Sequence, residues 1–183
     1  LRAASCFLIL GLLAAAGEAR AAPLPPAGEV ALNAVFDGCL QPVSARKDPG
    51  PPMMAALAAF RPDEAPRPDA QHPERRLWRV RALDGDLELE TFTGKAWCEI
   101  RVIGADPAQT ARRIDAALVK LDVPMQRKSL RGAEPGETGE VVLLGHDGGD
   151  ALMITLRQRR DPKDGEAGVT ISLSPVRLPA GGQ

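Results

Sequence analysis

The side chains able to do chemistry in this chain are few, and their spacing narrows what that chemistry could be. There are two histidines, His72 and His146, and neither has a cysteine or a second histidine at ligand spacing. His146 is followed by Asp147 and Asp150, which together could offer a metal imidazole and carboxylate donors. Gly148 and Gly149 between the two carboxylates fit a hairpin turn more simply. A serine nucleophile would need a positioned elbow, and no Gly-x-Ser-x-Gly occurs. Ser172 and Ser174 read as the polar side of a strand, while Ser44 and Ser129 have no distinctive context. A Gly-rich phosphate loop and a dinucleotide fingerprint are both missing. That leaves carboxylates. Glu88, Glu90 and Glu99 could supply an acid–base pair, yet the arginines interleaved with them explain the cluster as a solvated ladder. The sequence therefore assigns no catalytic residue, no metal ligand and no cofactor.

Cysteine chemistry is more specific. Of three cysteines, Cys6 lies at the extreme N-terminus, ahead of an uncharged apolar run over residues 7–16. Arg2, that run, and the small-x-small triplet Ala19-Arg20-Ala21 have the order of a secretory signal peptide. The run falls short of the roughly 20 residues needed to span a bilayer. Cys6 precedes the apolar run, whereas a lipid-accepting cysteine would follow it. Cleavage after Ala21 leaves 162 residues with Cys39 and Cys98. In an oxidising compartment the simplest outcome is that these two pair. The bridge would close a loop of about 60 residues and stabilise the fold by roughly 4 kcal/mol on chain-entropy grounds. The expected localisation is periplasmic or secreted.

Composition sets further limits. The mature portion has the size of one domain and a formal net charge of −2, from 21 basic and 23 acidic residues. Near-neutral, interspersed charge argues against nucleic acid or an anionic membrane as the main partner. No later apolar run approaches spanning length, so no transmembrane segment is expected in the mature chain. There is no tyrosine, and only Trp78, Trp97, Phe36, Phe60 and Phe92 remain as aromatics. That is little material for stacking sugars or bases.

The elements that position these residues follow from periodicity. After a flexible Pro/Ala-rich lead-in (22–28), the segment 29–40 places Leu32, Val35, Phe36, Cys39 and Leu40 on one helical stripe, and Pro42 is expected to end it. A proline-rich excursion over 42–76 includes a short helix at 53–60, started by Pro51-Pro52. Trp78, Val80 and Ala82 then alternate with Arg79 and Arg81. Asp84-Gly85 reads as a two-residue hairpin turn, and Leu87 and Leu89 alternate with Glu88 and Glu90. Counting from that turn sets Val80 against Leu89, Ala82 against Leu87, Arg81 against Glu88 and Arg79 against Glu90. Gly94-Lys95 permits a second turn, which sets Thr91 against Cys98, Leu89 against Ile100 and Leu87 against Val102. It also sets Glu90 against Glu99, with Arg79 as the offsetting charge. Asp106-Pro107 opens a helix whose stripe is Ala111, Ile114, Ala117, Leu118 and Leu121. An edge strand at 125–131, a strand at 141–144, one carrying Leu152, Ile154 and Leu156, and one at 169–174 are expected to complete the domain. No repeat occurs at a solenoid period.

The same counting places Phe92 directly across from Trp97 on the polar side of the sheet. Large aromatics there need a cover or a partner. With Arg79 and Arg101 on their flanks they form the candidate binding site, suited to an acidic ligand or to another envelope protein.

The helix Phe36-x-x-Cys39-Leu40, the tryptophan-bearing meander and Cys98-x-Ile100-x-Val102 resemble small exported Gram-negative bacterial proteins of unknown function, over residues 29–103. That resemblance implies no activity and transfers no functional residue.

The expected fold is α+β, a single domain over 29–178 with a short tail at 179–183. An antiparallel sheet of about six strands (three-stranded meander, helix, then three or four strands) is covered by the N-terminal and central helices. The expected function is an exported soluble binding or interaction module without catalytic chemistry. The alternatives are a small envelope hydrolase using carboxylates and a proteinaceous inhibitor of a secreted or periplasmic enzyme.

Overall fold

A computed structural model describes residues 23–60, 67–68, 71–130, 135–145 and 149–178. The proposed signal peptide, part of the proline-rich excursion, the tail and His146 lie outside the described residues.

The N-terminal helix begins two residues earlier than expected and runs past Pro42. It consists of α1 (Ala27–Asn33), a π-helical stretch (Ala34–Leu40) and α2 (Gln41–Ser44). Val30, Ala31, Ala34, Val35, Cys39 and Val43 are fully buried along it. Pro42 does not end the helix. It lies in the first turn of α2, one residue beyond the π stretch, where the ladder bonds reach back one residue further, and this widened turn takes up a proline that has no N–H to contribute. The short helix predicted after Pro51-Pro52 is α3 (Gly50–Leu57), extended by a 3₁₀ turn (Ala58–Phe60). It packs closely on the π stretch at Gly38, where any Cβ would fall 2.8 Å from Met53 Sδ.

The sheet is wholly antiparallel. Its strands are β1 (Arg67–Pro68), β2 (Arg75–Arg81), β3 (Asp86–Phe92), β4 (Cys98–Ile103), β5 (Met125–Ser129), β6 (Glu137–Gly145), β7 (Asp150–Arg159) and β8 (Ala167–Arg177), in the order β1-β2-β3-β4-β8-β7-β6-β5. Seven full strands plus the two-residue β1 replace the expected six or so. The α+β class holds. Two meanders, each following helical segments, meet at the β4–β8 seam, where Cys98, Ile100 and Val102 face Leu173, Ile171 and Val169. Between the meanders runs α4 (Pro107–Leu118), capped as predicted by Asp106, which accepts the N–H groups of Ala108 and Gln109. Ala111, Ile114 and Leu118 of α4 are buried. They join α1 in a helical layer on one face of the sheet.

The Cys39–Cys98 bridge is present, with Cα atoms 6.3 Å apart and both residues fully buried. It fixes the π stretch to the first residue of β4, next to the seam.

The first hairpin departs from expectation. Its register is Trp78–Leu89, Val80–Leu87, Arg79–Glu88 and Arg81–Asp86, two residues away from the count based on Asp84-Gly85. The faces are unchanged because side chains alternate with period two. The connection is a four-residue loop closed by Ala82 N–H donating to Gly85 C=O at 2.9 Å. Asp84 has another task. Pro26 at the start of α1 provides no side-chain cap, and Ala27 N–H donates instead to Asp84 Oδ1 at 2.6 Å. Gly85 is not among the positive-φ residues that a type I′ turn demands. A glycine is needed there for space, since a Cβ would collide with Ile103 O and Ala105 N. The second hairpin has the predicted register, Thr91–Cys98, Glu90–Glu99, Leu89–Ile100 and Leu87–Val102. Its turn differs from the expected one in that Gly94, at φ 72°, takes the third position of a turn closed by Lys95 N–H on Phe92 O.

Asp48, between α2 and α3, ties the helical layer to this hairpin. It accepts from Gly50 N–H, Gly94 N–H and Arg76 Nη1 at 2.8 to 3.1 Å. Burial alone would raise its pKa, but these two backbone bonds and the Arg76 charge outweigh it and hold the carboxyl below its usual value. A depressed folded-state pKa contributes stability that is complete above the unfolded value, near pH 4, and is lost as pH falls through the folded one. Asp48→Asn should therefore lower Tm by a constant amount between about pH 7 and 5, with the gap closing below about pH 3. Thermal scans of both proteins across that range test this, and a gap that widens in acid would contradict it.

Candidate functional site

With the helices on one face, strand alternation sends Arg79, Glu88, Glu90, Glu99 and Arg101 to the other, together with the aromatic pair. Phe92 ends β3 and Trp97 precedes β4, so the hairpin closes them on each other. Their ring centroids lie 5.2 Å apart at a tilt of 53°, within the range favourable for aromatic pairs. Both are half-buried. The Lys95 ammonium stands 4.7 Å from the Phe92 ring centroid, and Lys95 itself is exposed. In the described part of the excursion, α3 packs against the π stretch on the helical side.

Beside the rings runs a charged row. Arg75 grips Glu90 with two parallel bonds, Nε to Oε1 and Nη2 to Oε2, each 2.8 Å. Arg101 bonds Glu99 at 2.7 Å and approaches Glu90 at 3.9 Å. Glu90 is only 8% exposed. Its opposition to Glu99 is thus offset by Arg75 and Arg101, whereas the expected counter-charge, Arg79, pairs with Glu88 at 2.8 Å.

The shifted first hairpin decides which arginine serves the aromatics. Arg75 is the cross-strand partner of Phe92. Arg79 stands four residues further along β2, roughly 13 Å at strand rise. The structure therefore brings Phe92 and Trp97 together and keeps Arg101 on their face, but it places Arg79 away from them and puts Arg75 in its stead. Lys95 is the other cation at the rings that spacing alone did not single out.

A second polar constellation lies between α4 and the outer strands of the second meander, in a cavity of about 270 Å³. Arg127 on β5 bonds Asp115 at 2.5 Å and Glu140 at 3.3 Å. Burial alone would lower the Arg127 pKa, but the two carboxylates outweigh it and raise it. Both acids converge on the guanidinium, which makes the group a clamp holding α4 to β5 and β6. Among the described residues, no three His, Cys, Asp or Glu side chains converge to hold a metal. No described helix is long and apolar enough to cross a membrane.

Glu90→Ala would remove both of the Glu90 bonds to Arg75 and leave Arg101 with Glu99 alone, and is expected to cost about 2 kcal/mol. Glu88→Ala, whose partner is open to water, should stay within about 0.5 kcal/mol. Urea unfolding of the two variants separates the cases, and equal losses would deny Glu90 its bridging role.

No family model, no curated protein and no solved structure matches this chain.

Proposed function

We propose that the protein is an exported binding module that docks a partner protein through the uncovered sheet face at the tip of the β3–β4 hairpin. The observation that carries the reading is the Phe92–Trp97 pair, half-buried on a face the described helices leave open. Rigid aromatics of this kind supply a large share of binding energy once a partner removes them from water. The arginines around them are matched by Glu90 and Glu99, so charge near the rings is set by Lys95, which favours an acidic group on the partner. Inhibition of a secreted or periplasmic enzyme is one form such docking could take. For a carboxylate hydrolase the candidate acids Glu88, Glu90 and Glu99 each pair with an arginine, and the guanidinium between Asp115 and Glu140 favours a clamp there too.

Export rests on the N-terminal pattern, and the buried bridge supports it, since such bonds persist in oxidising compartments. Mass spectrometry of the protein from its native host should find a mature start at or within a few residues of Ala22. An intact N-terminus in the cytoplasmic fraction would overturn the assignment.

The docking reading is tested with immobilised mature protein and an envelope extract, followed by affinity measurement on the captured partner. Trp97→Ala, checked for native circular dichroism, should weaken binding at least tenfold, in line with about 2 kcal/mol for a central anchor. Arg79→Ala should change it less than threefold. An affinity indifferent to Trp97 would move the interface elsewhere.

A further inference from the structure

Away from the aromatic face, three separate parts of the chain converge without filling the space between them. The end of the N-terminal helix contributes Leu40, the α4–β5 connection contributes Leu121, Val123 and Pro124, and the β6–β7 hairpin contributes Leu144 and Leu152. They enclose about 250 Å³, open on one side. The frame is held by main-chain contacts, with Gly145 N–H donating to Pro124 C=O at 3.0 Å. Val123, at the lip, is 46% exposed despite being aliphatic. An apolar cavity of about 150 Å³ suffices for a benzene molecule. A single leucine or phenylalanine side chain would therefore leave this one partly empty, whereas a flexible alkyl chain can fill it.

The mouth is charged, and one of its residues is held there at a conformational cost. Arg46 follows α2 with φ 55°, the one described non-glycine residue with positive φ. For a side chain with a Cβ this costs on the order of 1 kcal/mol. Its N–H donates to Val43 C=O at 3.0 Å, and its guanidinium reaches Asp150 Oδ1 at 2.8 Å, across 104 residues of sequence. Asp150 lines the cavity and is also the cross-strand partner of Arg177. Asp150 thus brings two guanidiniums to the mouth, Arg46 by its ion pair and Arg177 by strand pairing. An apolar cavity under a cationic rim is complementary to an anionic amphiphile.

We propose that this cavity binds the hydrocarbon chain of a medium-length fatty acid, with its carboxylate on Arg46 and Arg177 at the mouth. The ligand carboxylate competes with Asp150 for Arg46, so the ion pair acts as a latch that an anionic head can replace and a neutral head cannot.

Isothermal titration of the purified mature protein with decanoate, decanol and decylamine, each below its micelle concentration, tests chain and head separately. Decanoate should bind at least tenfold tighter than either of the others. Arg46→Gly suits the left-handed backbone and so should fold at least as well as the parent. It should weaken decanoate about tenfold and leave decanol unchanged. Val123→Trp, at the exposed lip, should block all three. Equal affinity for the three heads, or decanoate binding indifferent to Arg46→Gly, would overturn the assignment of the head. Absence of saturable binding by any of them would overturn the site. A dimer that dissociates on Val123→Trp, without decanoate uptake, would overturn it too by giving the cavity to a second copy of the chain.

Discussion

A helix that starts behind proline has no acceptor of its own for its first N–H groups, and here the acceptor arrives from 57 residues away. Much of the architecture follows from that one hydrogen bond. Asp84 sits with Leu83 at the tip of the β2–β3 connection, a tip one residue before the place that an Asp84-Gly85 turn would give it, and from there its carboxylate meets the start of α1. That one-residue displacement of the turn goes with the two-residue shift in β2–β3 register, and the register brings Arg75 to Phe92. Leu83 N–H bonds Pro25 C=O at 2.9 Å beside it, so the loop and the lead-in to the helix hold each other in place. The loop that meets an electrostatic requirement of a helix end thus also belongs to the register that sets the charge environment of a distant aromatic pair.

The second organising feature is the seam between β4 and β8. Each meander is built from neighbours in sequence, but the seam joins strands separated by the whole of α4 and the second meander. Ile100 and Ile171 are fully buried where it forms. The bridge from Cys39 enters at the same place, so the helical layer is bound covalently to the strand on which the two meanders meet. Deep apolar pairing and one cross-link secure the middle, and the ion pairs of Asp48 and Arg127 secure the two flanks.

Much of this was legible in the residues, and what was not had a common cause. Alternation in β2, β3, β4 and β8 reported the sheet and its faces, because one face is packed and the other is not. Asp106-Pro107 reported α4 because a cap and an N1 proline act within a single turn. The bridge was legible because Cys39 falls on an apolar stripe and Cys98 on an apolar strand face. Wherever a residue serves a remote partner, local rules point elsewhere. Asp84 looked like a turn residue only and is a helix cap as well, and Pro42 looked like a stop and is accommodated by a π stretch that no spacing announces. For the candidate site, Phe92 and Trp97 followed from the second hairpin, whose register held. The wrong arginine followed from the first. The cavity under Arg46 had no signature at all, since its walls come from three elements that meet only in the folded chain.

The two edges of the sheet carry a consequence of their own. On one side β5 presents Arg127 and Lys128 on a short, mostly exposed strand. On the other, β1 is two residues long and ends in Pro68, which has no N–H to offer. Charge and proline are the usual means of making an open edge unreceptive to an added strand. Main-chain adhesion is thus discouraged at both rims, and whatever this sheet holds, it must hold by its flat side.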